Sequence, residues 1–324
     1  MKKAVKIMGF IVIGLFIIIG ALLSYVKFAL PNVGDAPNLK VEITLQRLER
    51  GKYLVNNVTM CLECHSTRDF SKFSGPVDIN SLGSGGEKFD KDMGLPGEYY
   101  APNITPYHLK DWTDGEIIRA ITTGVSKDGH ALFPIMPYQH FGRMDKEDIY
   151  SIIAYIRSLP AKETQSIASR SDFPMNFIIH TIPHEADFKP MPSPDNQVAY
   201  GEYLVNAASC SECHTKKVKG DPIPGMDFAG GAEFNFPDAV IISANITPDM
   251  ETGIGSWTKE QFVNRFKSYS DALYKPVSVA KGEFQTIMPL RAYGNMKTND
   301  IEAMYAYLRT VKPVKNQVTR FAAK

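Results

Sequence analysis

All four cysteines of the 324-residue chain fall in two short stretches, MCLECHS at 60–66 and SCSECHT at 209–215, and in each the second cysteine is followed directly by a histidine. On a helical turn, positions i, i+3 and i+4 share one face, so Cys61, Cys64 and His65 are expected to point the same way, as are Cys210, Cys213 and His214. Two thiols so placed suit thioether bonds to the vinyl groups on one edge of a porphyrin while the imidazole reaches its iron, the c-type haem attachment pattern. Zinc needs four ligands, and a Cys pair from each stretch would supply them, but the histidines and the duplicated flanks would then be coincidences. A thioredoxin-like dithiol lacks its βαβ context, and structural disulfides leave the histidines unexplained. Two covalently bound haem c groups are the expectation.

Each iron then needs a sixth ligand. Met136 and Met288, each in the tripeptide IMP, lie in loops beside a stiffening proline, and a thioether closes the coordination shell and raises the potential. A second matched pair, Met144 and Met296, stands just ahead of the final helices, where an apolar residue packs back as a staple. His130 and His140 remain alternatives in the first half, whereas the second half holds His214 alone. Trp112 and Trp257, the only tryptophans, are candidate indole donors to haem propionates, and Asn103 and Asn245 are expected either to brace their loops or to touch the haem edge. Lys216, Lys217 and Lys219 are a candidate acidic-partner patch, though such a run is more often a solvated face.

The elements that position these residues are written twice. GKYLVNNVTMCLECH at 51–65 answers GEYLVNAASCSECH at 201–214 with one extra residue. GGEKF (85–89) answers GGAEF (230–234), and APNITP (101–106) answers SANITP (243–248). Thr113 with Glu116, and Thr258 with Gln261, have the spacing of a capping box. Both copies close in an amphipathic helix stopped by proline, with Ile149, Ile152, Ile153 and Ile156 on one stripe and Ile301, Met304, Tyr305 and Leu308 on the other. The expected layout is a domain at 40–162, a Pro-containing linker at 163–195 and a second domain at 196–324.

Ahead of them, Lys2, Lys3 and Lys6 precede an apolar run from Ile7 to Val26. Twenty residues at about 1.5 Å each span roughly 30 Å of hydrocarbon. The run is longer than a typical signal-peptide core and lacks a small-residue cleavage site, so residues 1–30 are expected to be an uncleaved transmembrane anchor. The lysines before it place the rest of the chain outside the cytoplasm. With 36 Lys+Arg against 35 Asp+Glu, no basic surplus argues for nucleic acid.

Taken together, GKYLV…CLECH, GG…F, NITP, the tryptophan, MPYQHFGRM and AYIRSLP, each echoed in the second half, resemble tandem class I cytochrome c domains like those in the membrane-associated cytochrome c subunits of bacterial alcohol and gluconate dehydrogenases. The resemblance covers about 40–160 and 196–315. Those subunits typically have three haem domains, whereas two motifs stand here. The resemblance implies an all-α fold with Cys61, Cys64, His65 and Met136 in one haem set and Cys210, Cys213, His214 and Met288 in the other. It implies electron relay on the periplasmic face of the inner membrane, with a dehydrogenase, a quinol-oxidising complex or a terminal oxidase as redox partner, and no catalytic site of its own. The rival from another class is a dihaem enzyme such as a cytochrome c peroxidase, which needs a displaceable sixth ligand and an acid/base group beside it.

Overall fold

The computed structural model describes residues 2–236 and 238–324; Met1, at the head of the expected anchor, and Pro237 lie outside the described residues. The chain opens with α1 (Lys2–Phe28), whose apolar side chains face outward and which is long and apolar enough to cross a membrane. The first copy follows as α2 (Leu45–Tyr53), a π-helical turn (Leu54–Val58), α3 (Cys61–Cys64), β1 (Lys88–Phe89), β2 (Gly97–Tyr100), α4 (Pro106–Leu109), α5 (Asp114–Thr123), α6 (Tyr138–Phe141) and α7 (Lys146–Arg157). The connector adds β3 (Arg170–Ser171) and α8 (Met175–Ile178). The second copy holds α9 (Gln197–Ala207), α10 (Cys210–His214), β4 (Lys217–Val218), β5 (Asp221–Pro222), β6 (Glu233–Phe236), β7 (Ala239–Ile242), α11 (Lys259–Lys267), α12 (Leu290–Gly294), α13 (Thr298–Leu308) and β8 (Phe321–Ala323).

The all-α expectation does not hold, because among the described residues the strands form three small antiparallel sheets in the orders β1-β2-β3, β4-β5 and β6-β7-β8. Their hairpins occupy the segments between haem motif and tryptophan, where aromatic and β-branched residues such as Tyr99, Phe234, Val240 and Ile241 suit a half-buried pleated surface. The connector and the C-terminal tail each lend a strand to an existing hairpin, a pairing that no local periodicity announces. The fold is mixed helix and strand.

The helices follow their sequence signals. Both capping boxes form, Thr113 with Glu116 at α5 and Thr258 with Gln261 at α11. The first helix of each copy crosses its last at a glycine: a Cβ on Gly51 would lie 1.9 Å from Ser151 O, and one on Gly201 would lie 1.9 Å from Ala303 O. Only a missing side chain permits so close a crossing. Along these seams Ile149, Ile152, Ile153 and Ile156 of α7, and Ile301, Met304 and Leu308 of α13, are buried, while Tyr305 is half-buried and donates its hydroxyl to Trp257 O at 2.6 Å. Full burial of such side chains contributes about 1.5–3 kcal/mol each.

The copies also grip each other. Tyr53 of the first donates to Asp300 Oδ2 of the second at 2.5 Å, and the matched Tyr203 of the second donates to Asp148 Oδ2 of the first at 2.6 Å. The same two hydroxyls accept from backbone amides at matched positions, Lys297 N at 3.1 Å and Asp145 N at 3.2 Å. One buried apolar cluster runs through both halves. The contact is therefore close to an internal two-fold.

Candidate haem-attachment sites

In each copy the residue before the first cysteine takes the left-handed conformation, Met60 at φ 53 and ψ 33 and Ser209 at φ 53 and ψ 36. That break ends the long helix and starts a new short one, so Cys61, Cys64 and His65 share one turn, as do Cys210, Cys213 and His214. No disulfide joins the four thiols. Cys64 and Cys213 reach solvent while Cys61 and Cys210 are half-covered. Even so, surrounding protein crowds all four: burial pushes Cys64 and Cys210 up to about 12 and Cys213 up to about 11, and raises Cys61 as well. A shift in this direction is the reverse of the depressed thiolates that mark redox-active pairs. Among the described residues, no three His, Cys, Asp or Glu side chains gather as a site for a free metal ion, which removes the shared zinc arrangement.

The histidines are oriented from behind. His65 Nδ1 meets Pro102 O at 2.7 Å and His214 Nδ1 meets Ala244 O at 2.7 Å, so each Nδ1 carries the proton and each Nε2 keeps its lone pair. Burial lowers both histidines below their ordinary value and keeps the rings neutral. Two thiols and a neutral imidazole on one turn fit the demands of covalent haem.

Pro102 O and Ala244 O did not stand out as functional atoms, although the NITP repeat marked their neighbourhood. The residues after them explain how they are held. Buried Asn103 accepts at Oδ1 from Thr105 N (2.8 Å) and Thr105 Oγ1 (2.7 Å), and its Nδ2 donates to Lys162 O (2.8 Å) and Thr164 O (2.9 Å). Asn245 accepts from Thr247 N (2.9 Å) and Thr247 Oγ1 (2.7 Å), and donates to Thr252 Oγ1 (3.0 Å) and Val314 O (2.7 Å). Both amides are spent on protein, bracing the loop whose carbonyl orients the histidine.

Met136 and Met288 lie half-buried in identical turns, with Tyr138 N and Leu290 N each donating to the methionine carbonyl at 2.8 Å. Met144 and Met296 are fully buried. His140 has both ring nitrogens engaged across the copies, Nδ1 with Asn206 Oδ1 at 2.9 Å and Nε2 with Glu212 Oε1 at 3.0 Å, so neither is turned toward a haem site. His130 sits on an exposed turn with Nδ1 against Asp128 at 2.5 Å. Trp112 and Trp257 are half-buried at the starts of α5 and α11. The turns carrying them are tied to the final helices, Trp112 O by Arg157 at 2.5 Å and Gly255 O by the matched Arg309 at 2.5 Å. The basic run is partly neutralised: Lys217 pairs with Glu212 at 2.6 Å and Lys216 with Glu233 at 3.5 Å.

Between each pair of cysteines stands a glutamate, and the two differ. Burial drives Glu63 upward, and Arg68 at 3.4 Å with the charge of Arg291 offsets this only in part. Burial would raise Glu212 too, but hydrogen bonds from His140 and Lys217 hold it down to about 2.

A helical turn presenting two thiols and a carbonyl-oriented imidazole has the donors that covalent haem c needs, and residues 198–312 match the cytochrome c family model. The chain is homologous to cytochrome subunits of quinone alcohol, fructose and gluconate dehydrogenases, as three relatives show. It is 27% identical over 282 residues to the cytochrome c subunit of the quinone alcohol dehydrogenase of Gluconacetobacter polyoxogenes, covering 82% of this chain and 56% of that one. It is 26% identical over 310 residues to the fructose dehydrogenase cytochrome subunit of Gluconobacter japonicus, covering 90% and 58%. It is 24% identical over 282 residues to the gluconate 2-dehydrogenase cytochrome c subunit of Pantoea cypripedii, covering 82% and 59%. The chain thus spans rather more than half the length of these relatives. All three are named as cytochrome subunits of dehydrogenases, and they lend no support to the peroxidase reading.

Proposed function

We propose that this chain is a membrane-anchored dihaem cytochrome c that takes electrons from a dehydrogenase and passes them to a respiratory acceptor on the periplasmic side of the inner membrane. The observation that carries the reading is the duplication of the complete attachment turn, each copy with its own carbonyl-held histidine. Cys61, Cys64 and His65 would hold one haem and Cys210, Cys213 and His214 the other, with Met136 and Met288 as sixth ligands. Bound haem supplies a one-electron iron couple, and thioether ligation raises its potential. The protein's part is to fix the imidazoles, close the sixth positions and keep the two sites in one rigid body through the Tyr53–Asp300 and Tyr203–Asp148 bonds. The domains would be 40–162 and 196–324, with α1 as the anchor. Dehydrogenase partnership is supported by the relatives' names, each a cytochrome subunit of such an enzyme.

The test is a pyridine haemochrome assay on the purified chain: two haems are expected, and one each for Cys61→Ser/Cys64→Ser and Cys210→Ser/Cys213→Ser. A single haem in the parent chain, or haem extracted by acid-acetone, would overturn the dihaem assignment.

A further inference from the structure

Where α1 ends, a second apolar surface begins. The connector helix α8 and the turn after it (Ile179–Thr181) pack against α1. His180 Nδ1 donates to Leu30 O at 3.2 Å and His180 Nε2 accepts from Lys27 Nζ at 3.4 Å, pinning the connector to the last turn of the apolar helix. Burial, with Lys27 beside it, lowers His180 below its ordinary value, in keeping with that neutral tautomer.

The outward side of this segment is apolar. Phe173 is 82% exposed and Ile178 44%, and Phe177 packs edge-on against Phe173 with ring centroids 6.4 Å apart. On α1 the surface continues through Tyr25, 59% exposed, and Phe28, 87% exposed. Lys27 and exposed Arg170 flank it, a charge arrangement suited to anionic headgroups. Exposed aromatics beside the end of a hydrophobic span match side chains that sit at headgroup depth.

We propose that the segment from Phe173 to Ile178 is a second membrane contact, dipping its aromatic and aliphatic side chains into the lipid interface beside the emergence of α1. The inference rests on the reading of α1 as a membrane anchor. Because β3 pairs Arg170 with Glu98 and Ser171 with Gly97 in β2, and Asp172 N donates to Pro96 O at 2.9 Å, the segment is part of the first copy's surface. Two contacts fix a tilt that a single helix leaves free. The first copy is thereby held at one orientation to the bilayer.

The experiment uses the full chain in vesicles of phosphatidylethanolamine and phosphatidylglycerol, with an environment-sensitive dye on a cysteine introduced by Phe173→Cys and the parent chain as the labelling blank. Lipids carrying a quencher near the headgroup or near the bilayer centre report depth. Ile13→Cys in α1 and Ser193→Cys in the connector are the references. The expected result is quenching at position 173 several-fold above that at 193, stronger from the shallow quencher, with position 13 quenched most by the deep one. Quenching at 13 with none at 173 overturns this inference and leaves the anchor standing. Quenching at 173 with none at 13 keeps the interfacial contact and removes the anchor; none at either removes both. If position 173 stays in water until a dehydrogenase subunit is added, the surface is a protein-docking site and the lipid assignment falls.

Discussion

The two copies approach their first cysteine along different backbones and arrive at the same turn. In the second copy Leu204 O accepts from Ala208 N, four residues on, at 2.8 Å; in the first the matched Leu54 O accepts from Thr59 N, five residues on, also at 2.8 Å. The extra residue in GKYLVNNVTMCLECH is thus taken up as a π-helical turn. Asn57 is the insertion, since Val58 and Ala207 are both fully buried on one side of it and Asn56 and Asn206 match on the other. Past the bulge Met60 and Ser209 share φ 53, and the haem motifs proceed in phase. The surroundings diverge more than the turns. His140 faces Glu212, whereas its counterpart Ala292 has no polar group to offer, and Tyr293, which donates to Ala208 O at 3.2 Å, stands where the first copy has Phe141. Were haem held at both turns by like donor sets, these unlike surroundings would give the two sites unlike potentials.

The equivalence of the copies is tested most severely at their methionines. Met144 is 0% and Met296 1% exposed, so truncation of either to Ala should cost about 2–5 kcal/mol in chemical denaturation, with the loss alike in both copies. Neither change should alter the weak sulfur-to-iron absorption of the ferric protein. Met288→Ala should do the reverse, removing its share of that absorption and lowering one haem potential, and Met136→Ala should match it in the first copy. Were Met296→Ala to remove the band while Met288→Ala kept it, ligand and staple would be exchanged in that copy.

A smaller effect should separate the halves. Asp148 accepts Arg50 at 2.8 and 2.7 Å besides Tyr203, but Asp300 accepts from Tyr53 at 2.5 Å and from Tyr200 at a long 3.3 Å, because Tyr200 stands where the first copy has Arg50. Removing a hydroxyl from a buried carboxylate costs about 1.5–3 kcal/mol when little else satisfies it. Tyr53→Phe should therefore fall in that range, and Tyr203→Phe, with the guanidinium still in place, should cost about 1 kcal/mol. Equal losses would mean that Arg50 does not relieve Asp148.

What the sequence made legible was local. The left-to-right order of motifs, the capping boxes at Thr113 and Thr258 and the stripes of α7 and α13 follow from spacing within one helix, and they appear as expected. The features that escaped depend on residues far apart in the chain. β3 and β8 complete sheets by pairing with distant hairpins, and the Tyr53–Asp300 bond joins residues from opposite ends. The repeated Tyr of G-x-Y-L-V and the repeated Asp of the final helices were visible as a matched pair, yet nothing in a repeat says that the partners are exchanged between its copies. His140 was ambiguous for a similar reason: its occupants, Asn206 and Glu212, lie in the other half.

The least costly change addresses the bulge itself. If Asn57 is an insertion absorbed by the π-helical turn, its deletion should let Leu54 O accept from the residue four positions on, as Leu204 does, and make the first copy continuous from α2 onward. Asn57 is only half-buried, whereas Asn56 Nδ2 donates to Lys52 O at 2.7 Å and to Tyr155 at 3.2 Å, so the deletion spares the better-bonded neighbour. The expected change in stability is within about 1 kcal/mol, the scale of changes away from buried contacts and caps. Haem attachment at Cys61 and Cys64 should persist, because the phase of the turn relative to Gly51 would then equal that of Cys210 and Cys213 relative to Gly201. Loss of the first haem with the second retained would show instead that the π-helical turn sets the position of Cys61, and that the copies reach their common geometry by routes that cannot be interchanged.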